Sequence, residues 1–139
     1  MKRGRRSAVV AALVLVLIAC DESLTAPTRA NLLGQWPLMS IQQRDGSVLT
    51  PRAGTNVGIE FLDEDRVAVQ SDCNICSGRY ALDGATFRVL PLACTRRACL
   101  VGSIEGPYLE LLSAASSARI SSGRALRLEG SAGTLTFVR

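Results

Sequence analysis

Arg79-Tyr80-Ala81-Leu82-Asp83-Gly84-Ala85-Thr86-Phe87-Arg88-Val89 is the stretch on which the reading of the fold turns. Tyr80 and Leu82 alternate with Arg79 and Ala81, and Phe87 and Val89 alternate with Thr86 and Arg88. Successive side chains of a strand point to opposite faces, so a period of two with one polar face marks antiparallel strands that cover a core on one side. Between the two runs stands Asp83-Gly84, and glycine accepts the positive φ that a tight hairpin requires. The stretch predicts a β-hairpin.

Working outward, the pattern recurs. Val67 and Val69 alternate with Arg66, Ala68 and Gln70, Leu126 and Leu128 with Arg127 and Glu129, and Leu135 and Phe137 with Thr134 and Thr136. Arg44-Asp45-Gly46-Ser47 and Asp63-Glu64-Asp65 supply further turn signals. One segment has a helical period instead. Tyr108, Leu111, Leu112 and Ala115 follow i, i+3, i+4, i+7, and Pro107 stands where a first helical turn tolerates it. The expected fold class is α+β: a mainly antiparallel β-sheet of about 6–8 short strands with one short helix, Pro107 to Ala115, packed on it.

The N-terminus reads as a targeting segment. Met1-Lys2-Arg3-Gly4-Arg5-Arg6 carries four positive charges, and an apolar run from Ala8 to Ala19 follows it. A basic head, a short apolar core and small residues before a cut make up a secretory signal. The run falls short of the roughly 20 residues that a membrane-spanning helix needs. Leu17-Ile18-Ala19-Cys20 resembles the bacterial lipobox. The resemblance implies that residues 1–19 are removed, that Cys20 takes a diacylglyceryl thioether, and that its new amine is acylated. Asp21 resembles the inner-membrane retention signal of enteric lipoproteins, although inner versus outer membrane is left open. The expectation is a lipoprotein of the cell envelope facing the periplasm. Its residues 20–31 form the lipidated N-terminus and a polar tether, and residues 32–139 form the domain.

Loss of the signal also changes the charge. Of the sixteen basic residues, four lie in the signal, which leaves twelve against twelve acidic ones. The neutral mature chain gives no reason to expect nucleic-acid binding, and a monomer is expected. There is no histidine, which removes the commonest general base and transition-metal ligand. Glu60, Glu105 and Glu110 are the carboxylates considered for acid–base work, and nothing in the sequence brings two of them together. No catalytic residue, metal or cofactor is expected.

With Cys20 lipidated, Cys73, Cys76, Cys94 and Cys99 remain. An even set in an oxidising compartment suggests two disulfides, and spacing alone leaves all three pairings open. Cys73-Asn74-Ile75-Cys76 has the spacing of a redox pair, but it lies between strands with no helix after it. Zinc on four thiolates fits the first pair better than the four-residue gap between Cys94 and Cys99. Trp36 and Tyr80 fall in strand patterns, which favours core packing over ligand stacking. Asp63, Glu64 and Asp65 lack the ligand spacing of a calcium loop. Arg96-Arg97 reads as a polar loop before it reads as an anion site.

Leu33-Gly34-Gln35-Trp36, then Asp72-Cys73-Asn74 with Ser77-Gly78-Arg79-Tyr80, then Thr95-Arg96-Arg97-Ala98-Cys99 and a helix resemble, in order and spacing, the META (HslJ-like) domain. Asp72 stands where that family usually has glycine. The resemblance implies a bridge between Cys73 and Cys99. Cys76 and Cys94 lie just inside that pair, so a second, nested bridge is expected between them. The expected role is a non-enzymatic one, binding or supporting another envelope component such as a protein partner, and the resemblance implies a link to stress response. The alternatives are a binder of a small apolar ligand, an inhibitor of an envelope hydrolase, or a thiol redox protein acting through Cys73 and Cys76.

Overall fold

A computed structural model of the chain describes residues 23–63, 65–122 and 124–139. The signal segment, Cys20 and Asp21 lie outside these residues. The described chain begins with strand Leu24–Thr25 (β1) and a single helical turn, Arg29–Leu32 (α1). Strands Gly34–Gln43 (β2), Val48–Leu49 (β3), Gly58–Phe61 (β4) and Arg66–Gln70 (β5) follow, then Ile75–Asp83 (β6), Thr86–Val89 (β7) and Ala93–Cys94 (β8). Helix Glu105–Ala114 (α2) leads directly into Ala115–Ser121 (β9), Ala125–Gly130 (β10) and Gly133–Val138 (β11).

All the strand pairings are antiparallel, in the order β9-β10-β11-β2-β4-β5-β6-β7, and β7 returns to β9 through Thr86 opposite Ser117. The sheet is therefore closed: an eight-stranded barrel with β1, β3 and β8 added at its margins. The expected fold class holds in its coarse form and is corrected in detail. The molecule is mainly antiparallel β, but it has more strands than expected and two helices among the described residues. The added strands are two residues long, too short for a period to register in sequence.

Each expected alternation faces its apolar members inward. Val67 and Val69 in β5, Tyr80 in β6, Phe87 in β7, Leu126 and Leu128 in β10, and Leu135 and Phe137 in β11 are all buried. Phe61 packs edge-on against Tyr80 at 4.9 Å between ring centroids, and Phe87 completes the cluster. In β2 the buried positions are Trp36, Leu38 and Ile41, with a break in the alternation. Leu38 faces Phe137 and Ser40 faces Thr136, so Met39 is an extra residue on that strand. Such a bulge bends a strand. It lets β2 pair with β4 through its first half and with β11 through its second.

Helix α2 lies against β2, β7, β10 and β11, with Tyr108, Leu111 and Leu112 buried beneath it. It starts two residues before the expected position and ends at Ala114, because Ala115 already belongs to β9. Pro107 is the third helical residue, where an N–H would have no intrahelical partner. Among the described residues no helix is long and apolar enough to cross a membrane. Part of the stretch read as a tether is structured. Leu24 and Thr25 pair with Ser121 and Ile120, and Arg29 to Asn31 belong to α1, capped by Thr28.

Candidate functional site at the disulfide-tied rim

The motifs around Cys73-Asn74 and Thr95 to Cys99 converge on one rim of the barrel, where the β5–β6 loop, the segment after β8 and the start of α2 meet. The structure brings the four cysteines together as Cys73–Cys99 and Cys76–Cys94, with Cα separations of 5.4 and 4.0 Å. Cys76 and Cys94 are direct cross-strand partners in the β6–β8 pairing. The two members of the Cys-x-x-Cys thus have different partners and are not bonded to each other.

Asn74 is the centre of this rim and is 4% exposed. Its side-chain carbonyl accepts from the Thr95 hydroxyl at 2.9 Å and the Arg97 N–H at 2.7 Å. Its amide nitrogen donates to Glu105 Oε1 at 2.9 Å and to the Arg97 carbonyl at 3.2 Å. All four hydrogen-bonding positions of the amide are filled. The Asn74 backbone N–H adds bonds to Ser71 Oγ and Glu105 Oε2, and the Ser71 hydroxyl contacts Glu105 directly. Cys-Asn (Cys73-Asn74) and Thr-x-x-Ala-Cys (Thr95 to Cys99) are thereby one construction, with a bridge beside a saturated amide.

Asp72 explains the departure from the family glycine. Its carboxylate accepts from the Ser103 hydroxyl at 2.7 Å and from the Ile104 N–H at 3.0 Å. Ile104 is the N-cap of α2 and has no side-chain cap of its own, so Asp72 supplies that cap from a distant loop. Among the described non-glycine residues only Ser122 has positive φ, so position 72 requires no glycine. The sequence held a signal for this, since Asp and Asn bond to nearby backbone groups, but their partners here lie in distant segments.

Chemically, the arrangement is occupied with holding itself together. Glu105 serves Asn74 and Ser71, Glu60 lies in β4, and Glu110 is an exposed residue of α2. Glu105 lies close to the Cys73 and Cys99 sulfurs, but both sulfurs are in the bridge. Trp36 and Tyr80 are core residues, 1% and 2% exposed. Trp36 Nε1 donates to the Leu32 carbonyl at 2.6 Å, and the Arg139 guanidinium sits 4.0 Å over its ring. Asp63 accepts from two backbone N–H groups and from Arg66, whose hydrogen bond holds its carboxyl below the usual range. Asp65 pairs with Arg79, and Glu64 lies outside the described residues.

Against known proteins, the family model of the META domain matches residues 30–139. The chain belongs to the META domain family. The META barrel is also similar to an NMR structure of a protein from Burkholderia xenovorans, at 26% identity and a TM-score of 0.67, covering 100% of this chain and 98% of that one. No curated protein matches the sequence.

Proposed function

We propose that this META protein is a lipid-anchored envelope protein, held through Cys20, whose barrel binds or supports another envelope component without catalysis. The observation that carries this reading is the filled barrel. Trp36, Phe61, Tyr80, Phe87, Tyr108 and Phe137 occupy its interior and are all at most 2% exposed, so binding is left to the outer surface. The motif residues support the same view, because Asn74, Glu105 and Ser71 satisfy one another instead of facing a substrate. An apolar-ligand role has less support. The hollow beside Trp36 and Ile59 holds only about 80 Å³, below the roughly 300–1,000 Å³ of small-molecule sites. The larger hollows are open clefts in which charged side chains such as Arg44, Asp45, Arg52 and Arg97 stand among apolar ones.

In-cell cross-linking with mass spectrometry on wild type and Cys20→Ala tests the reading. A partner captured by the wild type and lost in the variant is the expected result. Labelled fatty acid should enter the wild type and not the variant. A chain that carries no label, or whose adducts are unchanged by Cys20→Ala, overturns the anchored role.

A further inference from the structure

Leu100 and Val101 are 79% and 97% exposed, at the tip of the segment that leads from Cys99 to α2. The tip is held from three sides. Cys99 is bridged to Cys73, the Ser103 N–H donates to the Leu100 carbonyl at 3.1 Å, and Arg52 donates to the Val101 carbonyl at 3.2 Å. Gly102 has φ +81°, so Leu100-Val101-Gly102-Ser103 has the signature of a type II turn. Two aliphatic side chains are thus fixed in water at a covalently pinned turn. Ordering costs entropy and exposed aliphatic surface gains nothing from water, so stability of the isolated domain does not account for it.

Charge and relief narrow the occupant. The rim loops 50–57 and 91–104 contain Arg52, Arg96 and Arg97 and no carboxylate. The nearby acids Asp72 and Glu105 are engaged internally. Beside the turn lies an open cleft of about 370 Å³ whose lining includes Arg52, Arg97 and Ser103, the internally bonded Asp72, and the apolar Ala98 and Leu100. A knob next to a recess of mixed polarity fits a shaped protein surface, whereas a flat bilayer would leave the recess unfilled. The segment also leads through α2 to the Ala115 end of β9, whereas β1 pairs at the Ser121 end. The turn and the N-terminal side of the chain therefore occupy opposite ends of the barrel. A type II turn is not the extended backbone of a substrate-like inhibitor loop.

We infer that the Leu100–Val101 turn is the docking knob of this domain. It enters an apolar pocket ringed by carboxylates on a protein partner, and Arg52, Arg96 and Arg97 face those carboxylates. This rests on the binding role proposed above and names its surface. The test places p-benzoylphenylalanine at position 100, 101, 39 or 62 of the full chain in its own host, followed by irradiation. Met39 and Leu62 are the controls, being exposed apolar residues elsewhere on the barrel.

The expected result is a protein adduct from positions 100 and 101 and none from 39 or 62. The adduct peptide should map to an acid-rimmed cleft, and the yield should fall about tenfold when the three arginines become glutamate. Adducts from 39 or 62 alone overturn the knob and leave the binding role standing, whereas no adduct from any position overturns both. A yield unchanged by Arg52→Glu, Arg96→Glu and Arg97→Glu together removes the acidic rim. In flotation with phosphatidylcholine–phosphatidylglycerol vesicles, the Cys20→Ala chain should stay unbound. Binding that is lost in Leu100→Asp would identify a bilayer instead and overturn the proposal.

Discussion

The two ends of the barrel are closed by different chemistry. At the end where the described chain enters and leaves, closure is aromatic and cationic. Trp36 donates to Leu32, and Arg139 covers the indole and donates to the carbonyls of Leu33 and Asn31. At the opposite rim a buried amide, a carboxylate and two bridges knit three segments together. The first closure relies on burial and tolerates graded change. The second relies on mutual saturation, so removal of one member leaves several buried groups without partners.

Substitutions should separate these two kinds of closure. Trp36→Ala should have the largest effect, about 4 kcal/mol by denaturant unfolding, and Trp36→Phe should recover much of it. Asn74→Ala should cost about 3 kcal/mol, and Asn74→Asp should recover little, because it places a second carboxylate against Glu105. Recovery at 74 equal to that at 36 would break the comparison. Replacing Cys73 and Cys99 with serine should cost about 3 kcal/mol through the unfolded chain, and the same change at Cys76 and Cys94 should cost only slightly less. Hydrogen exchange should show that loss as a fall in global protection shared by the Trp36 end, with a further local loss in residues 71–76 and 94–105.

The smallest effect is expected inside the barrel plug. The Tyr108 hydroxyl is buried with no hydrogen-bond partner, and burial pushes its pKa well above the ordinary range. Tyr108→Phe should therefore raise stability by about 1 kcal/mol near neutrality. Because the folded pKa is raised, the unfolded chain alone ionises above about pH 10. Wild-type stability should then fall as pH rises beyond that point, and the fall should be weaker in Tyr108→Phe. Thermal unfolding at pH 7 and pH 10.5 would show both effects.

The parts of the fold legible in sequence were those whose determinants are local. The β6–β7 hairpin is carried by alternation around Asp83-Gly84, and the helix by the period of Tyr108, Leu111 and Leu112. Closure was not legible, because Thr86 meets Ser117 only after a rim loop and a helix intervene. The second half of β2 was hidden by the bulge at Met39, which moves the apolar position from 40 to 41. At the rim the residue types could be quoted in order, and the family likeness supplied the pairing. The partners of Asn74 and Asp72 stayed out of reach, since they lie more than 20 residues away along the chain.

The nested bridges have a consequence for how the chain matures. Synthesis delivers Cys73 and Cys76 before Cys94 and Cys99, so the first two thiols to meet an oxidant are neighbours that do not pair in the finished molecule. In a chain exported as proposed above, an oxidant acting in order of emergence would join them and leave Cys94 and Cys99 to pair with each other. Correct assembly therefore calls for a thiol–disulfide exchange catalyst or for oxidation delayed until the sheet has paired, and yield in the host should depend on that shuffling activity.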